Sequence, residues 1–232
     1  MRYLALLLTL VTCPAPAAEL IRVAVAANFK STLAHINDQF QRDTGYRVVL
    51  SSGSTGVLYS QITHGAPYDL FFAADGDATA RLHADRLGST PFCYARGELV
   101  LAGGNGELTQ LADPRLSLAI ANPVTAPYGA AAMEVLARAE FAGGQGRKLV
   151  RGTNVVQALQ FWHSGATDLA LLPRALAPEA TAIPARWHQP IEQHAIVLRQ
   201  QRGQPAIDAY LNWIRSDRVR ALITDAGYQP CP

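Results

Sequence analysis

Four short segments of the 232-residue chain share one design: an apolar strand, a turn of small or polar residues, and a helix start. They are Ala26-Ala27-Asn28-Phe29, Gly53-Ser54-Thr55-Gly56, Ala126-Pro127-Tyr128-Gly129 and Thr153-Asn154-Val155-Val156. A helix start leaves backbone N–H groups unpaired and carries a partial positive charge. It therefore binds an anion without any charged side chain. In parallel α/β sheets, ligands sit at the carboxyl ends of strands. Four such ends facing one cleft would coordinate a tetrahedral dianion, with further donors in the Asn28 amide and the Thr55 and Tyr128 hydroxyls. Taken singly, each segment has an ordinary reading: Asn28 is a helix cap, Gly53 to Gly56 a tight turn, Tyr128 a half-buried aromatic. The case rests on the four together, divided two and two between the halves of the chain.

Other reactive side chains group less well. Asp69 and Asp75 have no histidine beside them in a ligand motif and read as capping and cleft-edge carboxylates rather than a metal or catalytic pair. Ser54 raises the alternative of a secreted hydrolase. Its turn, however, puts Thr55 at the central place of a G-x-S-x-G elbow, and no His–Asp pair can be set beside it. His163 and His194 read as surface or packing residues, and Arg147, Lys148 and Arg151 as a solvated face.

The elements that must position the four turns alternate along the chain. Ile21 to Ala26, Arg47 to Ser51 and Asp69 to Ala73 are strand-like runs. Phe29 to Phe40 carries Phe29, Leu33, Ile36 and Phe40 at helical spacing, with Thr44-Gly45 ending it. A helix is expected from Thr55 to His64, and Asp75 can cap the next. After Gly88, strands are expected at Glu98 to Ala102, Leu116 to Ala121, Leu169 to Leu172 and His194 to Leu198. Helices are expected at Pro127 to Glu140, Asn154 to His163 and Pro205 to Ala226. This order predicts an α/β fold with mostly parallel sheets and helices on their faces.

Charge and composition bound the function. With 20 Lys+Arg, 18 Asp+Glu and 49% hydrophobic residues, the chain is globular and near neutral. It lacks the concentrated basic face that a nucleic-acid partner requires. The start Met1-Arg2-Tyr3, the apolar run from Leu4 to Val11 and the small residues Ala15 and Ala17 form a secretory signal peptide, cut after Ala17. The run is too short to span a bilayer. Lipidation at Cys13 is the weaker alternative, because Thr12 is a poor residue before a lipidated cysteine. Cleavage removes one charge, Arg2, taking the net charge from +2 to +1. It leaves Cys93 and Cys231, with no third cysteine competing, in a compartment that permits disulfides. We expect them to pair and to tie the C-terminal tail near a crossing, clear of any ligand.

The whole mature chain resembles the periplasmic molybdate-binding proteins of molybdate ABC importers. The words that carry this are VAVAANF (Val23 to Phe29), FQRDTGYRVVLSSGSTG (Phe40 to Gly56), QITHGAPYDLFFAAD (Gln61 to Asp75), GELVLA (Gly97 to Ala102), IANPVTAPYG (Ile120 to Gly129) and NVVQALQF (Asn154 to Phe161). The resemblance implies a two-lobed, type II periplasmic binding protein fold with the oxyanion in the cleft. It also implies ligand contacts at Asn28, Thr55, Tyr128 and Val155, and no direct metal-ion ligands. One branch of that family has Ser where Asn28 stands and a ligand Tyr at the place of Pro173. This chain matches a second branch, with Asn and Tyr at positions 28 and 128.

On this reading the protein is not an enzyme and needs no cofactor. It is a periplasmic monomer that binds molybdate or tungstate and hands it to a membrane permease, with no nucleic-acid partner. Hydrogen bonds to charged groups contribute roughly 1.5–3 kcal/mol each. Several reach about −12 kcal/mol, a nanomolar affinity, after association costs. Rigid donors spaced for a large ion bind smaller sulfate poorly, whereas tungstate is nearly the same size as molybdate. The alternatives are a receptor for sulfate or phosphate, the hydrolase using Ser54, and a cytoplasmic effector-binding domain. The signal peptide and the lack of a DNA-binding helix pair argue against the last. The expected division is a signal peptide at 1–17, lobe one at 18–96 plus 199–232, and lobe two at 97–198.

Overall fold

The structure, a computed structural model, describes residues 20–198 and 204–232. The expected signal peptide lies outside the described residues. The first half carries β1 (Leu20–Ala26), α1 (Lys30–Thr44), β2 (Arg47–Gly53), α2 (Thr55–Thr63), β3 (Leu70–Phe72), α3 (Asp77–Ala84) and β4 (Phe92–Gly97). The second carries β5 (Leu99–Gly103), β6 (Leu118–Ala121), α4 (Pro127–Leu136), β7 (Leu149–Gly152), α5 (Val155–His163), β8 (Leu169–Pro173) and β9 (Thr181–Ala182). The chain then returns through β10 (Ile191–Val197) to α6 (Pro205–Ile214) and α7 (Asp217–Asp225).

The strands form two five-stranded sheets, β2-β1-β3-β10-β4 and β7-β6-β8-β5-β9. In each, the first three strands in that order are parallel, the fourth runs antiparallel to them, and the fifth runs with the first three. That fourth strand is in each case the one that has just crossed over from the other sheet: β5 follows β4, and β10 follows β9. The result is the expected α/β fold of two mixed, mostly parallel sheets.

Apolar side chains explain the layers. On α1, Leu33, Ile36 and Phe40 are buried at helical spacing against Val23, Val25 and Phe72 of the first sheet. Gly45, with φ 78°, closes the helix in the left-handed conformation that glycine adopts without steric cost. The second core joins Leu99, Leu101, Ile120, Leu169 and Leu171 to Ala131, Ala132 and Val135 of α4.

Three expectations change. Residues 191–198 were expected in the second lobe, but β10 pairs with β3 and β4 in the first sheet. The chain therefore returns before Ile191, because an apolar run does not encode which sheet it will join. The single helix expected over 205–226 is two. Ser216 interrupts it, and its hydroxyl accepts from the Val219 N–H at 3.3 Å as a new N-cap. Arg147 is part-buried rather than a solvated-face residue. Its guanidinium donates to the carbonyls of Gly144 (3.0 Å) and Leu111, tying together two 3-10 segments.

Cys93 and Cys231 are joined in a disulfide with Cα atoms 6.1 Å apart. Beside it the tail pairs with β4, Arg96 and Gln229 exchanging two backbone hydrogen bonds of 2.8 Å.

Candidate functional site

The four turns meet. Asn28, Ser54, Thr55, Tyr128, Asn154 and Val155 line one small cavity together with Ala26, Ala74 and Pro127. Each of the four turns lies at the carboxyl end of a parallel strand, β1, β2, β6 or β7, and at or just before the start of a helix. The first sheet supplies Asn28 and Thr55, and the second supplies Tyr128 and Val155.

Backbone geometry leaves donors there. Neighbouring amides are engaged: Ala27 N–H with the Gly53 carbonyl, Phe29 with Ala26, Gly56 with Thr125, and Gly129 with Ala126. The Asn154 side chain accepts from Val156 (2.9 Å) and Gln157 (3.1 Å) as an N-cap. Among the described residues, the N–H groups of Asn28, Thr55, Tyr128 and Val155 have no protein acceptor. These are the unpaired amides of four helix starts, turned into one space.

Two hydroxyls add to them. Thr55 Oγ1 accepts from the Ala74 N–H at 3.0 Å, which leaves its own proton to donate. Ser54 is 5% exposed, and its Oγ has no partner among the described residues. A buried hydroxyl without a hydrogen bond costs on the order of 1–3 kcal/mol, and a group in the cavity accepting from this one would remove that cost. The sequence weighed Ser54 only as a nucleophile. Its place in the cavity lining, with no partner among the described residues, suits it to donate instead.

The Asn28 side chain is placed differently from its expected role. Its amide nitrogen donates to Gln193 Oε1 (2.7 Å) and to the Tyr228 hydroxyl (3.3 Å), so those protons are held within the protein. Its backbone N–H remains free to donate. The tail tied down by the disulfide also supports the site: the Tyr228 hydroxyl donates to the Asn28 carbonyl at 2.8 Å, three residues before Cys231.

Tyr128 is 2% exposed, and burial holds its hydroxyl well above the usual phenol range, so it stays a neutral donor. Its oxygen accepts from Gln193 Nε2 at 3.3 Å and lies where a Cβ on Gly97 would come within 2.0 Å. Gly97 ends β4 at the crossing, so only a residue without a side chain lets this hydroxyl reach the hinge. Gly97→Ala should destabilise the fold by about 1–3 kcal/mol through overpacking. In a chain of this size that is a fall of several degrees in thermal midpoint, and an unchanged midpoint would refute the close approach.

Of the two carboxylates, Asp75 keeps the expected role, whereas Asp69 stands just before β3, at the end of the sheet away from the four turns, and caps no helix. Asp69 accepts from the Arg22 N–H at 2.5 Å, and Asp75 caps α3 through the Ala78 N–H at 2.9 Å. Asp75 stands at the wider mouth of the cleft, ≈ 420 Å³, with Glu134 and Arg81, which stacks on Tyr59 at 4.4 Å. Burial raises the Asp75 carboxyl above the ordinary range. Among the described residues, no cluster of three or more His, Cys, Asp or Glu could hold a metal ion.

A family profile described as bacterial extracellular solute-binding protein matches residues 21–229. The chain belongs to that family. This solute-binding protein is 35% identical to the molybdate-binding protein ModA of Azotobacter vinelandii over 94% of its own length and 93% of the relative's. It is 32% identical to ModA of Rhodobacter capsulatus, over 93% and 90% of the two chains. The solved periplasmic molybdate-binding protein of A. vinelandii superimposes with a TM-score of 0.84 at 32% identity, covering 91% of this chain and all of that one. These relatives are binding proteins, not enzymes, and the hydrolase reading of Ser54 falls with them.

Proposed function

We propose that this protein captures molybdate outside the cytoplasm and delivers it to the permease of an ABC importer, acting as a periplasmic monomer released by cleavage after Ala17. The observation that carries the reading is the convergence of four helix starts, with the unpaired amides of Asn28, Thr55, Tyr128 and Val155, on one small cavity. The site contains no lysine or arginine, so charge is met by dipoles and hydrogen bonds alone. Oxygens of a tetrahedral dianion accept from all of these donors at once. The similarity to proteins named for molybdate binding, at 32–35% identity over nearly the whole chain, supports this ion over other oxyanions. Tungstate is expected to share the site, because its shape and charge are the same.

Thermal unfolding against molybdate, tungstate, sulfate and phosphate tests the proposal. An ion bound only by the folded state, at 100 times its dissociation constant, stabilises by about 2.7 kcal/mol. Molybdate and tungstate should raise the midpoint by similar amounts at micromolar concentration, with sulfate and phosphate effective only at far higher levels. A larger shift with sulfate or phosphate than with molybdate would overturn the assignment.

A further inference from the structure

Gln193 is fully buried (0% exposed) in the middle of β10, a position where the alternation of the strand calls for an apolar side chain. A buried amide is retained at such a site only if its donors and acceptors are satisfied. Here both its oxygen and its nitrogen have partners, drawn from both halves of the molecule. Its Oε1 accepts from the Asn28 amide (2.7 Å) and the Tyr94 hydroxyl (3.0 Å), both built on the first sheet. Its Nε2 donates to the hydroxyl of Tyr128, from the first turn of α4 over the second sheet. The β-bulge of β10 falls between Gln193 and His194, and Ala95 of β4 lies opposite Gln193. The side chain therefore sits on the paired strands that carry both crossings, beside the Gly97 at which β4 leaves the first sheet.

We propose that Gln193 is the positioning residue of the site: it links Asn28 to Tyr128 across the hinge and so favours the closed arrangement in which the unpaired amides face one another. It acts without touching the ligand. Because Gln193 donates to the Tyr128 oxygen, that hydroxyl must give its own proton elsewhere. Because Gln193 accepts from Asn28, the turn that presents the Asn28 N–H is fixed. The first effect crosses between the halves through Tyr128, and the second lies within the first half, where Gln193 and Asn28 both sit.

The inference rests on the proposed oxyanion site, and its test separates the two. Gln193→Met keeps the side-chain length and removes both hydrogen-bonding ends. Tyr128→Phe keeps the ring and removes the other end of the bridge together with a hydroxyl donor of the site, so its scattering, not its affinity, serves if the first variant folds poorly. Small-angle X-ray scattering of the ligand-free proteins should show a larger radius of gyration for either variant than for the parent. Calorimetry with molybdate should show about tenfold or greater weakening for Gln193→Met. The double variant should lose less than the sum of the two single losses, because the bridge is removed only once. A parent-like radius in both ligand-free variants, or losses that simply add, would overturn the role of Gln193. Absence of a molybdate heat in the parent would instead count against the ligand assignment, and the ligand-free scattering would still decide the bridge.

Discussion

Replacing Cys93 and Cys231 together by serine should lower the unfolding free energy by about 5 kcal/mol, the largest stability effect expected of any change to this protein. The bridge spans 138 residues of sequence. Cross-linking so long a loop removes roughly that much chain entropy from the unfolded state, if loop entropy is the whole effect. The same change should weaken oxyanion binding, because the tail held by Cys231 also carries Tyr228, whose hydroxyl donates to the carbonyl of Asn28. Urea titration of the oxidised protein and the double serine variant reads the first effect, and calorimetry of the folded variant reads the second. Equal urea midpoints would show that the bridge does not constrain the unfolded chain. Equal affinities would show that the tail and the site are independent.

Ser54→Ala combined with Thr55→Ala should reduce oxyanion affinity more than a hundredfold. A hydrogen bond to a charged group is worth about 1.5–3 kcal/mol, so two come to about 3 kcal/mol or more, or over two decades in dissociation constant. The single variants separate the contributions. Thr55→Ala loses a donor and also leaves the Ala74 N–H unpaired, since Thr55 Oγ1 is its acceptor. It should therefore lower thermal stability as well as affinity. Ser54→Ala removes a hydroxyl with no partner among the described residues, so the ligand-free fold should be unharmed or slightly more stable. Loss of affinity without loss of stability is the signature of a group built for its ligand. If Ser54→Ala binds molybdate as tightly as the parent, the Ser54 hydroxyl does not reach the ion and the cavity is oriented otherwise.

Local sequence determined the elements and the chemistry they expose. Apolar runs set the strands, the spacing of Leu33, Ile36 and Phe40 set the buried face of α1, and Thr44-Gly45 ended it, because each depends on residues within one or two turns. The donors of the four turns were readable for the same reason: an unpaired amide is a property of a helix start, whatever that helix packs against. Tertiary structure decided which strand joins which sheet, and so placed β10 in the first sheet, although its apolar residues suited either one. It also decided the partners of the site. Gln193 and Tyr228 reach Asn28 from 165 and 200 residues away in sequence, and Tyr94 reaches Gln193 from 99. No short-range pattern records such meetings. The polar Gln193 among Ile191, Ala195 and Val197 was the one visible sign, an interruption of the apolar period-two face that required a buried partner. Which partner it found was a matter of where the two sheets came to rest, since hydrogen bonds act over about 3 Å and only the closed fold brings those atoms within reach.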